Sequence, residues 1–155
     1  MRVHLLAIGK RMPGWVEQGF ETYAKRLPKG WLQLKELPLA RRSGSADASR
    51  AVASEGKALL DAVPKGATIV ALQSASASWS TEALRARLER WMMTGKDVAL
   101  MIGGPDGLSE SCLAAADEHW SLSALTLPHG LVRDVVAEQL YRSWSMINNH
   151  PYHRD

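Results

Sequence analysis

A glycine-rich pentapeptide, Gly103-Gly104-Pro105-Asp106-Gly107, is the segment of this sequence best suited to holding a ligand. Glycines allow positive φ angles and a close approach of backbone to a bound molecule, and the N–H groups of such loops hold polar or anionic groups. The spacing matches neither GxGxxG nor the P-loop pattern, which argues against a dinucleotide or P-loop phosphate site. Taken by itself, the segment is also typical of a tight strand-to-helix turn, and both interpretations stay open.

A second candidate segment is Leu122-Ser123-Ala124-Leu125-Thr126-Leu127-Pro128-His129, which is predicted to leave a strand and enter a helix through its proline. Backbone donors and acceptors of such a crossing can pair with the edge of an adenine ring, while Leu125 and Leu127 cover its faces. The same pattern is typical of a core strand followed by a proline-initiated helix. The residues alone leave these alternatives open.

Two further groups carry side chains suited to chemistry. Glu138 and Arg142 are four residues apart on the polar stripe of the last predicted helix, a spacing that usually gives an exposed ion pair worth about 0.3–0.5 kcal/mol. The closing segment, Asn149-His150-Pro151-Tyr152-His153-Arg154-Asp155, carries residue types that stack on bases and bind phosphate, although chain ends are often frayed. Its two histidines lack a convincing third ligand, so no metal site is predicted.

The elements that must position these segments are predicted from short apolar runs that alternate with amphipathic stretches. Strands are predicted at Val3–Ile8, Leu32–Leu37, Thr68–Leu72, Val98–Ile102 and about 120–125. Helices are predicted after Pro13, from an N-cap at Asp47, from Ser80 or Thr81, after Ser109, and over about 128–148. Strands separated by helices indicate one α/β domain, residues 1–155, with a mostly parallel sheet.

Ligands of such sheets bind beyond the carboxyl ends of the strands, so the loops after Ile8, Leu72, Ile102 and Leu125 are expected to build the site. The single cysteine, Cys112, excludes an internal disulfide. No apolar run approaches the ~20 residues of a membrane span, and no signal peptide is evident, so a cytoplasmic location is predicted. The net charge of +3 is compatible with a nucleic-acid partner without being diagnostic of one.

Three segments in order, 102–108, 121–129 and 149–154, together resemble one known family. It comprises the ribosomal large-subunit pseudouridine N3-methyltransferases, which are minimal members of the SPOUT superfamily. The resemblance covers the whole chain, including Met12-Pro13 and Trp15-Val16 near its start. Asp106 stands where the family commonly has glutamate, and Gly130 where it commonly has proline.

The resemblance implies a single-domain SPOUT methyltransferase fold with a C-terminal trefoil knot, which periodicity alone does not predict. It also implies the cofactor S-adenosylmethionine, held in a bent shape, and a homodimer with its site at the subunit interface. The cofactor-binding residues that it implies are Leu72, Gln73, Gly103, Gly104, Pro105, Leu122, Ser123, Ala124, Leu125, Thr126, Leu127 and Pro128.

The substrate implied by the resemblance is N3 of a pseudouridine in large-subunit (23S) ribosomal RNA, methylated on the assembled ribosome by an in-line, metal-free displacement. We hypothesise that Glu138 or His153 assists removal of the imide proton, and that Arg142 stabilises the imide anion or positions a phosphate. Tyr152 and Trp79 are expected to hold or stack on the flipped base. The RNA-binding residues expected are Trp79, His129, Arg133 and Arg154.

Three other functions compete with this interpretation. A non-catalytic RNA-binding or assembly factor would keep the cofactor pocket without forming product. A small α/β enzyme with a different nucleotide cofactor would carry a phosphate-loop fingerprint, which this sequence lacks. A superfamily member that methylates tRNA bases is the third, and only the C-terminal segment argues against it.

Overall fold

The structure, a computed structural model, describes residues 1–154, without the side chains of residues 45 and 46; Asp155, the last residue of the predicted domain, lies outside the described residues. Five strands are present: β1 Val3–Ile8, β2 Leu32–Leu37, β3 Thr68–Leu72, β4 Val98–Ile102 and β5 Glu118–Trp120. The helices are α1 Gly14–Ala24, α2 Ser45–Ala62, α3 Thr81–Thr94, α4 Glu110–Ala115 and α5 His129–Ile147, followed by a C-terminal 3-10 helix, Pro151–Arg154.

The strands form one parallel sheet in the order β2-β1-β4-β3-β5, which confirms the predicted α/β class. Its central strand, β4, is apolar and buried along its whole length because helices cover both faces of the sheet. Side chains of α1, α3 and α5 pack on one face, represented by Phe20, Leu88 and Leu140. Leu59 of α2 and Cys112 of α4 pack on the other. The order brings the loops after all five strands to one edge of the sheet.

The predicted strand over 120–125 is wrong beyond Trp120, where β5 ends. The hydroxyl of Ser121 donates to the carbonyl oxygen of Ser123, and the hydroxyl of Ser123 accepts from the N–H of Leu125. Serine side chains that bond to nearby backbone compete with strand pairing, so the chain turns after Trp120 into an irregular loop. This loop, residues 121–128, leads directly into α5.

Two of the three predicted N-cap positions are confirmed, and one is wrong. Ser80 and Ser109 cap α3 and α4, since their hydroxyls accept from the N–H groups of Ala83 and Cys112. The predicted N-cap at Asp47 is wrong: α2 begins at Ser45 with Gly44 in the N-cap position. Asp47 instead lies in the first turn, where a carboxylate is favoured by the helix dipole.

None of the described helices has both the length and the apolar character required to cross a bilayer. The strand order and direction are the same whether or not the chain passes through one of its own loops. The trefoil knot therefore stays a prediction.

Candidate active site

An open cleft of about 600 Å³ lies at the carboxyl ends of β3, β4 and β5, within the size range of small-molecule sites. Its walls are the loop after β3, the glycine loop 103–107 after β4, the loop 121–128 after β5, and the start of α5. The cofactor-binding residues predicted from the sequence that line it are Leu72, Gln73, Gly103, Gly104, Pro105, Leu122, Ser123, Leu125, Thr126 and Leu127.

Two predicted cofactor-binding residues, Ala124 and Pro128, are exposed and do not line the cleft in the described structure. Pro128 instead precedes the first turn of α5 as its N-cap residue. Seven further residues line the cleft that no sequence signal had assigned to it. These seven residues are Ser74, Ile102, Asp106, Gly107, Trp120, Ser121 and Val132. Asp106 and Gly107 belong to the glycine-rich segment that the sequence already indicated. Val132 lies four residues after Pro128, so helical spacing would have indicated it as well.

The glycine loop, residues 103–107, forms a tight turn and also lines the cleft. The N–H of Gly107 donates to the carbonyl oxygen of Gly104 at 3.0 Å, and Gly107 has a φ of +81°. A Cβ atom on Gly103 would lie 2.6 Å from the carbonyl oxygen of Gly107. Only glycine at position 103 lets the two ends of this turn approach so closely.

His129, predicted to bind RNA, lines the cleft at the start of α5. Its Nε2 lies 2.6 Å from the carbonyl oxygen of Ile8. A carbonyl oxygen can only accept, so Nε2 carries the hydrogen and donates. Burial is the main cause that lowers the pKa of His129. The neutral ring therefore joins the start of α5 to the end of β1 beside the cleft.

Arg133, one turn further along α5, is only 1% exposed. Its guanidinium donates to a carboxylate oxygen of Glu36 at 2.6 Å and to the carbonyl oxygen of Gly9 at 2.9 Å. The side chain joins α5 to the ends of β1 and β2 from inside the protein. This burial corrects the expectation that Arg133 contacts RNA phosphate.

Trp79, expected to hold the target base, is stacked on Trp120 with ring centroids 5.1 Å apart and planes 5° apart. The guanidinium carbon of Arg87 lies 3.9 Å from the centroid of the Trp79 ring. Trp79 does not line the large cleft in the described structure; it borders a smaller cavity of about 310 Å³, whose walls include Val135 and Gln139 of α5. The Trp79 ring is therefore held between Arg87 of α3 and Trp120 of β5.

Three of the four predicted catalytic residues form one cluster on α5 and the C-terminal helix. The carboxylate oxygen Oε1 of Glu138 accepts from Nε of Arg142 at 2.8 Å and from the hydroxyl of Tyr152 at 2.9 Å. The other oxygen, Oε2, accepts from the side-chain amide of Gln139. The Tyr152 ring packs on Tyr141, with centroids 4.7 Å apart. Burial, and then the bond to Glu138, raises the pKa of the Tyr152 hydroxyl.

His153 and Arg154 follow Tyr152 in the C-terminal 3-10 helix. We use the name C-terminal cluster for the three bonded residues together with these two: Glu138, Arg142, Tyr152, His153 and Arg154. His153 is half-buried, and its Nδ1 atom is buried without a hydrogen-bond partner among residues 1–154. Arg154 is exposed. None of the five lines the cleft in the described part of the chain. The structure thus gathers the predicted site into two groups, the cleft and the C-terminal cluster.

Comparison with known proteins gives matches over the whole chain. Residues 1–153 match the family described as "Predicted SPOUT methyltransferase". A ribosomal RNA large subunit methyltransferase H from Hahella chejuensis is 52% identical, covering 100% of both chains. Its counterpart from Thioalkalivibrio sulfidiphilus is 50% identical over the same shares.

Solved structures share the fold at low sequence identity. A probable methyltransferase from Bordetella pertussis Tohama I gives a TM-score of 0.61 at 17% identity, covering 92% of this chain and 93% of that one. A putative methyltransferase from Legionella pneumophila, solved with the bound cofactor SAM, gives 0.52 at 11% identity, covering 93% and 66%.

The parallel five-stranded sheet, with its cleft at the carboxyl edge, therefore defines a SPOUT-type methyltransferase fold. The chain belongs to the SPOUT methyltransferase family. Within it, the chain shares about half of its residues, end to end, with proteins named ribosomal RNA large subunit methyltransferase H.

Proposed function

We propose that this chain is an S-adenosylmethionine-dependent methyltransferase that acts on N3 of a pseudouridine in large-subunit ribosomal RNA. The observation that carries the proposal is identity of about 50% along the whole chain to proteins named as large-subunit ribosomal RNA methyltransferases. The choice of pseudouridine as the target base, and of N3 as the methylated atom, follows from the family resemblance of the three sequence segments. Ribosomes are assembled and modified in the bacterial cytoplasm, which is where the enzyme is proposed to act.

The cleft fits the cofactor in size and in the chemistry of its walls. Its glycine loop allows backbone to approach a ligand closely, and its loop 121–128 offers backbone polar groups between the apolar side chains of Leu122 and Leu127. Gly103, Gly104 and the residues from Leu122 to Leu127 would hold the cofactor. When bound, S-adenosylmethionine supplies an electrophilic methyl group on a sulfonium sulfur.

In the proposed mechanism the C-terminal cluster acts on the target base. Arg142 is held by Glu138 and lies over the Tyr152 ring, with 5.0 Å between the guanidinium carbon and the ring centroid. It supplies the positive charge that stabilises the imide anion. His153, which follows Tyr152 and is only half-buried, accepts the N3 proton as general base. Glu138 then serves to hold Tyr152 and the C-terminal helix in place.

A homodimer would unite the two groups of residues. The C-terminal cluster does not line the cleft of its own chain. We infer that the cluster of one subunit faces the cleft of its partner, so that base and methyl group align across the interface. Alignment of this kind accounts for much of the acceleration in a displacement that needs no metal.

The assembled ribosome is the proposed substrate because the chain has few means of binding naked RNA. A net charge of +3 on 155 residues gives a weak electrostatic contribution to binding RNA. The test compares methyl transfer to purified assembled ribosomes with transfer to the same RNA stripped of protein. Transfer to ribosomes alone supports the proposal, and equal transfer to both contradicts the requirement for the ribosome.

A further inference from the structure

Arg42, in the loop between β2 and α2, connects three parts of the chain through one guanidinium group. Nη2 lies 2.6 Å from carboxylate oxygen Oε1 of Glu55 on α2. Nε donates to Oδ2 of Asp106 in the glycine loop at 2.8 Å. Nη1 donates to the carbonyl oxygen of Ala40 in its own loop at 2.9 Å. The guanidinium therefore ties the glycine loop to α2 and to the segment after β2.

Glu55 makes this connection more than a surface contact. Its side chain is 2% exposed, and a buried carboxylate is stable only when a cation lies beside it. The carboxylate lies directly behind the glycine loop: a Cβ atom on Gly104 would be 2.7 Å from Oε2 of Glu55. Glu55 thus packs against the glycine loop at Gly104, and Asp106 belongs to the loop itself. Arg42 contacts both carboxylates at once.

We propose that Arg42 is a positioning residue that fixes the glycine loop in the shape that binds the cofactor. This inference rests on the proposed function. Arg42 does not line the cleft in the described structure, so it acts through Asp106 and Glu55 and not by touching the ligand. Arginine suits this task because its planar fork can serve two carboxylates in fixed directions, whereas lysine presents one compact charge.

The test uses Arg42→Lys and Asp106→Asn in the full-length chain, with S-adenosylmethionine binding measured by calorimetry. Lysine still neutralises Glu55, and the side chain of Asp106 is 47% exposed, so neither change leaves a buried charge unpaired. Each variant should raise the Kd for S-adenosylmethionine about tenfold, the effect of losing one charged hydrogen bond. Arg41→Lys, at the exposed neighbouring arginine, is the matched control and should leave that Kd unchanged.

Steady-state kinetics distinguish a positioning role of Arg42 from a general loss of folded, active enzyme. With assembled ribosomes as substrate, both variants should raise the KM for S-adenosylmethionine while kcat at saturating cofactor stays close to that of the parent chain. Hydrogen exchange across residues 103–108 should be faster in the cofactor-free Arg42→Lys variant than in the parent. The double variant should bind no more weakly than Arg42→Lys alone, because both changes break the same connection.

Three outcomes would overturn the inference. The first is an unchanged Kd in both variants. The second is an Asp106→Asn effect that persists in full in the Arg42→Lys background, which would mean that Asp106 contacts the cofactor directly. The third is exchange across residues 103–108 that does not respond to Arg42→Lys. A parent chain that binds no S-adenosylmethionine would instead contradict the proposed function, and hydrogen exchange would then decide alone whether Arg42 holds the loop.

Discussion

Arginines of this chain differ sharply in what surrounds them. Arg133 is fully enclosed and donates to Glu36 and to backbone carbonyls, whereas Arg154 is exposed on the C-terminal helix. Residue type alone does not distinguish a guanidinium that supports the fold from one that meets a phosphate. Burial does, because a buried cation must be paired with the groups that replace its water.

Replacing Arg133 by methionine should lower the free energy of unfolding by about 3 kcal/mol, because Glu36 and the carbonyl of Gly9 lose their buried donor. Urea denaturation at neutral pH measures the change. The matched control is Arg154→Met, an exposed arginine, for which we expect a change of less than about 0.5 kcal/mol. Equal stability of the two variants would contradict the structural role assigned to Arg133.

Glu138 and His153 make different contributions in the proposed mechanism, and single turnover separates them. His153→Gln should slow methyl transfer about 100-fold or more, the usual effect of losing a general base. Glu138→Gln should slow it much less, since the glutamine oxygen can still accept from Tyr152. Rapid-quench assays with ribosomes supply both rates. If Glu138→Gln is the slower variant, the roles of the two residues are reversed.

At the scale of elements, the cleft depends on how α5 and the strand ends are joined. His129 donates from the first turn of α5 to the last residue of β1, and burial keeps its ring neutral by lowering its pKa. The unfolded chain binds a proton at a pKa near 6.5, above the pKa in the folded chain. Stability from this histidine is therefore present above pH 6.5 and is lost as the pH falls below it.

His129→Gln should flatten that pH dependence. Glutamine can donate to the carbonyl of Ile8 without titrating, so the variant should lose less stability than the parent between pH 7 and pH 5. Urea midpoints at the two pH values provide the comparison. A variant that loses as much stability as the parent would show that other groups carry the acid response.

The strands and helices that the sequence predicted well are those that depend on patterns within a few neighbouring residues. The bounds of β1 to β4 match their predictions. β1, β3 and β4 are largely apolar runs, and β2 alternates apolar and polar residues until it stops before Pro38. The strand predicted over 120–125 failed because serine hydroxyls bond to the backbone after Trp120. The cleft followed from the rule for parallel sheets, except that the loop after Ile8, predicted as one of its walls, does not line it in the described structure. The bridge from Arg42 to Asp106 spans 64 residues and leaves no local pattern.

At the scale of the whole molecule, the cleft and the C-terminal cluster are separate regions of one chain. Two such chains, related by a two-fold axis, can combine each cleft with the other subunit's cluster. Gly103→Ala blocks the glycine loop, since a Cβ atom there meets the backbone of Gly107, and His153→Gln removes the proposed base. Each variant should be nearly inactive alone.

Mixing these two variants under conditions that exchange subunits should recover activity. Half of the randomly formed dimers are mixed, and each mixed dimer regains one intact site, so about a quarter of the parent activity is expected. Methyl transfer to assembled ribosomes is the readout, and each variant mixed with itself is the control. No recovery, with mixed dimers demonstrated by mass spectrometry, would show that one chain builds its whole site.

The most direct test of the account is to locate the transferred methyl group. Ribosomes from cells that lack this enzyme are incubated with the chain and tritium-labelled S-adenosylmethionine, and the labelled nucleotide is identified after nuclease digestion by mass spectrometry. Label is expected at N3 of a single pseudouridine in the large-subunit RNA. Absence of label while the cofactor binds tightly, or label on another base, would contradict it and favour a binding factor or a different substrate.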